Sequence, residues 1–477
     1  MTRPQPTPRV AESPVPALLL GLVLGLSILK LGNPVILEDQ IGVPGSLMEW
    51  IQRPWPTRVG LFLLPIVVLF HLFATPWRER LAAAPVPAWI WFGLGGWTFW
   101  QWLSHGASVD TRLSGLTLPH LLAVSACFIL GVLTGRTRWQ PLLIGVGIGA
   151  TLCWLQAFNQ HTFEFRYARE ALVTGQQSGW TNLAPADVAE LRQNGLIVTT
   201  NGVDIANPAI LDKLARGRVH GSLVYPNALA GLVLLAFPPL ATALWLSRHR
   251  LRPLVFALAA GLLGPLAFCS LLWSGSRSGW LIAVAMAALA VLLHPRLRKV
   301  RIPIAVAALV LGLGAFAFRN QAYFKKGATS VSARFDYWKA AAQNTLENPF
   351  RGSGPGTFMR PYAKRKAPDA EMARLVHNDY LQQFSDSGIP GGITYLLWVL
   401  GSLGLAWSRA LRSPSALRLG ILVGVTGWLI QGLSEFGLYI PPLAWSCFAL
   451  LGIAVSLPPE NPSTPDPAPA QTPPSPA

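Results

Sequence analysis

The sequence has few charged residues for its length. Only 12% of its 477 residues are Asp, Glu, Lys or Arg, whereas soluble globular proteins carry about 25%. Hydrophobic residues make up 52% of the chain, and the mean hydropathy is +0.41. This composition excludes a soluble globule and predicts a protein with many membrane-spanning segments.

Cysteine and acidic residues are also scarce. The four cysteines, Cys127, Cys153, Cys269 and Cys447, all lie within apolar runs, so neither a disulfide framework nor a cysteine metal site is expected. The 21 acidic residues stand against 38 Lys and Arg, which gives a net charge of +17. Because these basic residues are spread in small groups between apolar runs, nucleic-acid binding is not expected.

Long apolar runs, by contrast, recur along the whole chain. We identify about twelve runs near the length of about 20 residues that a spanning helix needs. They centre on residues 18–31, 59–73, 88–103, 121–133, 142–158, 223–246, 254–273, 280–293, 303–318, 389–407, 417–433 and 440–457. Only helices satisfy the backbone in lipid over runs of this length. The sequence therefore predicts an all-α integral membrane protein with two long polar loops, 159–221 and 319–387.

The basic residues between the runs predict the orientation. With the N-terminus in the cytoplasm, sixteen Arg and Lys residues lie in the inner tails and short inner loops, against four in the short outer loops: Arg53, Arg58, Arg112 and Arg277. By the positive-inside rule, both ends are cytoplasmic and both long loops lie outside. The predicted division is a cytoplasmic tail over 1–15, a membrane domain over 16–457 whose first run is a retained signal anchor, and a disordered Pro-rich tail over 458–477.

Three arginines lie at predicted outer positions beside the membrane. Arg218 precedes an apolar run, Arg277 lies in a tight turn of Ser and Gly, and Arg334 shares one side of a predicted helix with Tyr337 and Trp338. The planar fork of arginine suits bidentate phosphate recognition. The alternative is an interfacial arginine that reaches for lipid headgroups, or a solvated turn residue, and the sequence leaves both interpretations open.

The second long loop carries a glycine-rich turn and then a histidine. The turn, Asn348 to Gly356, is expected to be flexible and to wrap a ligand. His377 lies between Arg374 and Asp379 beside the membrane interface, where an imidazole suits general-base chemistry. A lone loop histidine is more often structural. Glu435, near the outer face, is expected either to pair with one of the arginines or to lie on the surface.

Together these residues resemble the O-antigen ligase family and its relatives among the O-antigen polymerases. The resemblance covers about residues 216–396. Its motifs are Arg218, Gly221, Pro226 and Asn227; Ser276 and Arg277; Arg334 and Trp338; Gly352, Gly354 and Gly356; His377, Asn378 and Leu381; and Asp386 before Gly388. Asp386 stands where the family pattern more often has a glutamate.

The resemblance implies a membrane glycosyltransferase that moves a glycan from an undecaprenyl diphosphate carrier to an acceptor hydroxyl, with inversion and without metal or cofactor. It places the protein in the bacterial inner membrane, with a periplasmic site, in lipopolysaccharide or polysaccharide biosynthesis. By this resemblance His377 is the general base, Asp386 orients it, and the three arginines bind the diphosphate. Candidate substrate contacts are Asn227, Trp338, Gly354 and Asn378.

Several alternatives remain open at this stage. The acceptor is lipid A core in a ligase, a growing glycan in a polymerase, or a protein hydroxyl in an O-oligosaccharyltransferase. A polysaccharide transporter or flippase would place charges inside its spans, whereas these apolar runs carry almost none. A non-enzymatic scaffold would leave His377 and the glycine turns unexplained.

Overall fold

The computed structural model describes residues 13–135, 139–321, 323, 329–368 and 370–458. Most of them are helical, as predicted. The helices are α1 (Val15–Lys30), α2 (Leu47–Gln52), α3 (Thr57–Ala74), α4 (Trp77–Ala83), α5 (Ala88–His105), α6 (Thr111–Gly135), α7 (Gln140–Asn159), α8 (Phe165–Gln177), α9 (Pro185–Gln193), α10 (Pro208–Arg216), α11 (Pro226–Leu246), α12 (Pro253–Ser274), α13 (Arg277–Leu293), α14 (Arg301–Arg319), α15 (Thr329–Glu347), α16 (Met359–Ala363), α17 (Asp379–Arg412), α18 (Ala416–Gln431) and α19 (Pro441–Ser456).

Some sequence predictions fall outside the described residues. These are nearly all of the N-terminal tail, the Pro-rich tail after residue 458, and four of the basic residues used for the orientation, Arg3, Arg9, Arg136 and Arg138.

Each predicted apolar run overlaps one of the helices. Within the described ranges, seven helical segments are long and apolar enough to cross a bilayer: Thr57–Ala74, Thr111–Gly135, Gln140–Gln177, Pro226–Leu246, Pro253–Ser274, Arg301–Arg319 and Asp379–Arg412. Four shorter apolar helices accompany them: Val15–Lys30, Arg277–Leu293, Ala416–Gln431 and Pro441–Ser456. These helices make the chain a multi-pass membrane protein, while the number twelve stays a prediction.

The core lies around α19, which is buried along its whole length and packs against α6. Close packing of α1 against α7 depends on paired glycines. Gly21 and Gly25 face Gly145 and Gly149, and a Cβ on any of them would overlap the backbone of the opposite helix. Small residues four apart allow such close approach between helices in lipid. At the periphery, α14 leaves most of its apolar side chains exposed, as expected of a lipid-facing helix.

The first long loop folds into a small module. Helices α8, α9 and α10 enclose a cluster of buried residues formed by Leu172, Trp180, Ile197 and Ala206. An antiparallel hairpin, β1 (Ile197–Thr200) and β2 (Val203–Ala206), completes it. The all-α prediction missed this hairpin, although its Asn201-Gly202 turn has the positive φ values and the sequence typical of two-residue hairpin loops.

The connections predicted to lie outside contact one another. The Val109 amide donates to the Ser353 carbonyl at 2.9 Å, and the Asn378 side chain donates to the Leu433 carbonyl at 3.0 Å. At the opposite ends of the helices, Arg409 donates to the carbonyls of Pro85 and Val455. The second long loop therefore shares one face of the helical bundle with the short connections at Val109 and Leu433. The assignment of that face to the outside rests on the charge pattern.

Candidate active site

A buried carboxylate joins three separate segments of the chain at this face. Glu435 lies after α18, and its Oε1 accepts from Arg334 of α15 at 2.7 Å and from the Asn227 side chain of α11 at 2.7 Å. The Glu435 side chain is 10% exposed and that of Arg334 is 19% exposed. The same Asn227 accepts from Arg218 at 2.9 Å. The pairing of Glu435 with a site arginine, one of the two expectations from the sequence, is confirmed.

His377 lies beside this carboxylate. Its Nδ1 is 3.7 Å from Glu435 Oε2, is buried, and has no hydrogen-bond partner among the described residues. The ring packs edge-on against Phe436, with centroids 4.7 Å apart, and lies 5.8 Å from the Tyr337 ring. With 29% of the side chain exposed, the imidazole has one edge against Glu435 while part of the ring stays accessible.

The backbone of His377 is held in an unusual conformation. Its φ of +53° lies in the left-handed region, which is disfavoured for residues other than Gly, Asn and Asp by roughly 1–2 kcal/mol. Trp338 Nε1 donates to its carbonyl at 3.4 Å. On the following residue, the Asn378 side chain caps α17 by accepting from the amides of Tyr380 and Leu381. These contacts hold the backbone from which the imidazole projects.

Arg277 and Arg218 both lie at the solvent-facing edge of the site. Arg277 begins α13, where the N-terminal end of the helix also favours an anion. Its guanidinium lies 3.4 Å from the Tyr323 ring centroid and donates to Asn320. Partial desolvation and then the positive charge of Arg277 lower the pKa of Arg218. Arg218 also donates to the Ser274 carbonyl at 2.8 Å, three residues before Arg277, so the two cations lie in the same part of the site.

The charges at this edge do not balance. Arg218 donates to the Ser274 carbonyl and to Asn227, and the partners of Arg277 are likewise neutral. Among the described residues, Glu435 is the carboxylate paired with this group. Three guanidinium groups therefore face one carboxylate, which leaves an excess of positive charge suited to a doubly charged anion.

Sequence reasoning missed Gln160, which holds the turn that follows Arg218. Helix α7 continues into α8 through a π-helical turn, Gln160–Glu164, and such turns often mark functional sites. The buried Gln160 side chain accepts from the amides of His220 and Gly221 and donates to the Gly221 carbonyl. The signal was weak, because a glutamine at the end of an apolar run has no distinctive spacing.

The predicted face of α15 is confirmed. Tyr337 and Trp338 contact His377, and Arg334 on the same side of the helix contacts the neighbouring Glu435. The structure thus brings together Arg218, Asn227, Arg277, Arg334, Trp338, His377 and Asn378, to which it adds Glu435.

Asp386 and Gly354 lie in a different, buried network. The Asp386 carboxylate accepts from Tyr439 at 2.5 Å, from the Gly356 amide at 2.7 Å and from Gln382 at 2.8 Å. Gly354 has a φ of +105° and donates to the Asp386 carbonyl, and a Cβ there would overlap Ser108. The glycine-rich turn was expected to be flexible and to wrap a ligand, but its second half, residues 352–356, is buried and held by backbone hydrogen bonds to Ser385 and Asp386. Within the described chain, the carboxylate at ion-pair distance from His377 is Glu435.

Replacing Asp386 by Ala is expected to destabilise the protein. Three buried donors would lose their acceptor, at about 1–3 kcal/mol each. We expect a lower thermal unfolding midpoint of the purified protein, with any activity lost in parallel. Glu347→Ala is the matched control, because Glu347 is 58% exposed in its pair with Arg365 and such pairs contribute little. Normal thermal stability with lost turnover would instead assign Asp386 to the chemistry.

No cluster suited to a metal ion is present in the described part of the chain, where no three His, Cys, Asp or Glu side chains come together.

The fold and the site define a class: multi-pass helical membrane proteins with a cationic, histidine-containing site at one face. Within that class, residues 264–396 match the family model described as O-antigen ligase. The matched range lies within the region, about 216–396, over which the motifs resemble this family. Members of the family are glycosyltransferase-like membrane enzymes of the O-antigen ligase and polymerase superfamily. No curated protein matches the chain.

Proposed function

We propose that this protein transfers a glycan from an undecaprenyl diphosphate carrier to an acceptor hydroxyl on the outer face of the bacterial inner membrane. The observation that carries the proposal is the group of three arginines, Arg218, Arg277 and Arg334, with one carboxylate between them and His377 beside it. An excess of guanidinium charge next to a candidate base matches a reaction in which a diphosphate leaves and a hydroxyl attacks.

The arginines have the role of binding the donor diphosphate. Arg218 and Arg277 are exposed, so their guanidinium groups can reach a headgroup at the membrane surface. As the bond from the anomeric carbon to the diphosphate oxygen breaks, the diphosphate departs with the electron pair. Positive groups already in place stabilise that developing charge without reorganisation.

His377 has the role of general base. With the proton on Nδ1, directed at Glu435, Nε2 is free to accept the proton of the acceptor hydroxyl. The deprotonated oxygen forms the new bond to the anomeric carbon from the side opposite the leaving group, which inverts its configuration. Trp338 and Asn378 hold the histidine backbone and so orient the ring. In this proposal they act on substrate through His377.

Transfer by the purified protein in detergent tests the proposal. The donor is a lipid-diphosphate-linked glycan, and the acceptor is either lipid A core or a second donor molecule. Product on lipid A core identifies a ligase, and longer lipid-linked chains identify a polymerase. A serine-containing acceptor protein is offered in a third reaction to detect protein glycosylation. No transfer to any of the three acceptors would overturn the proposal.

A further inference from the structure

Glu435 has two competing neighbours. Its Oε1 is fully engaged by Arg334 and Asn227, both at 2.7 Å, while Oε2 stays 3.7 Å from His377 Nδ1. That separation is longer than a hydrogen bond, which needs about 2.7–3.2 Å between the heavy atoms. The carboxylate therefore forms a hydrogen-bonded ion pair with the arginine, whereas it interacts with the histidine only at longer range.

Each of the two neighbours of Glu435, Arg334 and His377, has a buried polar atom without a hydrogen bond to any described residue. Arg334 Nε and His377 Nδ1 are each buried without a partner in the described structure. Such groups normally find partners, so both are placed to gain one. A phosphate oxygen could satisfy the arginine, and the Glu435 carboxylate could satisfy the histidine after a shift of less than about 1 Å.

We propose that Glu435 is a positioning residue shared between Arg334 and His377, and that the donor diphosphate, by taking over Arg334, frees Glu435 to hold His377. This inference rests on the proposed function. In the absence of donor, Glu435 occupies the anion position on Arg334. When the diphosphate binds, the carboxylate accepts from His377 Nδ1, and this hydrogen bond favours the protonated ring that the reaction forms. The hydrogen bond between His377 and Glu435 thus forms only when a donor is bound.

Glu435→Gln separates this role from a purely structural one. The amide keeps the size of the side chain and can still accept from Asn227, but it no longer competes for Arg334 as an anion. Inorganic diphosphate should therefore bind more tightly to the purified variant, by about 5-fold or more. Transfer at saturating donor should be at least about 10-fold slower, because the base is poorly oriented. Glu347→Gln, which removes a charge from an exposed pair with Arg365, should change neither quantity.

Tighter binding together with slower transfer is the diagnostic combination. Weaker diphosphate binding in Glu435→Gln would make Glu435 a structural residue and overturn the inference, and unchanged transfer would remove the link to His377. Arg334→Ala reports on the donor site itself. If the wild-type protein does not bind diphosphate, or binds it as well without Arg334, the proposed function fails at its donor site and the inference fails with it.

A measurement on the wild-type protein covers the case in which Glu435→Gln does not fold. The protein is labelled with ¹³C in its histidine rings, and the signal of His377 is assigned by its loss in His377→Asn. Inorganic diphosphate should shift this signal, while that of the exposed His249 should stay in place. A His377 signal that saturating diphosphate leaves unchanged would overturn the inference.

Discussion

His377→Asn is expected to lower the rate of glycan transfer by about a hundredfold to ten-thousandfold, the range that a general base contributes. Asparagine is chosen because it tolerates the left-handed φ of +53° found at this position. The loop before α17 should therefore keep its shape while the imidazole is lost. Turnover of a lipid-diphosphate-linked glycan by the purified protein measures the effect, and the binding of inorganic diphosphate should change little.

Two further variants make the histidine result specific. His377→Ala should lose as much transfer and also some stability, because alanine is disfavoured in the left-handed region. His249→Asn changes an exposed histidine at the opposite face and should leave transfer intact. Normal turnover in His377→Asn would rule out the base assignment and would leave His377 as a structural loop residue.

Substitution of Arg218 or Arg277 should weaken donor binding, more strongly with alanine than with lysine. Arg218→Ala and Arg277→Ala each remove a charged donor group with neutral partners. Each is worth about 1.5–3 kcal/mol against a charged ligand, or roughly 10- to 150-fold in affinity. The KM for the lipid-linked donor and the Kd for inorganic diphosphate should rise together. Lysine should restore only part of the loss, because it lacks the planar fork.

Arg334 should behave differently from the other two arginines. Its removal leaves Glu435 as a buried carboxylate without its cation, which typically costs about 3–5 kcal/mol. Arg334→Ala should therefore lose thermal stability as well as diphosphate binding, whereas Arg218→Ala and Arg277→Ala lose only binding. Arg112→Ala is the control, since its side chain is 75% exposed in a pair with Asp39. Full recovery by lysine at all three positions would indicate a simple charge role.

Most of the helical architecture could be predicted from the sequence because it depends on composition. Runs of apolar residues define the helices directly, since lipid leaves the backbone no other way to satisfy its polar groups. The grouping of Arg334, Tyr337 and Trp338 also followed from local spacing, because residues three and four apart share a helix face.

Contacts between distant segments could not be predicted in the same way. Asp386 and Glu435 are both acidic residues near the outer ends of helices, and nothing in their local sequence tells which of them approaches His377. The answer depends on how α17 packs against the turn after α18, where the Tyr439 hydroxyl donates a hydrogen bond to the Asp386 carboxylate. The glycine-rich turn was misjudged for a related reason. Glycine permits both a flexible loop and a backbone packed without Cβ atoms, and only tertiary packing distinguishes them.

The site is assembled from segments that are far apart in the chain. Arg218 precedes the matched range of 264–396, and Glu435 follows it. A fragment confined to that range would contain Arg277, Arg334 and His377, yet it would lack both the partner cation and the counter-ion. Transplanting this segment alone into a related protein would place Arg334 and His377 against a foreign carboxylate. Moving this site into a relative therefore requires transferring the whole segment from Arg218 to Glu435 as one unit.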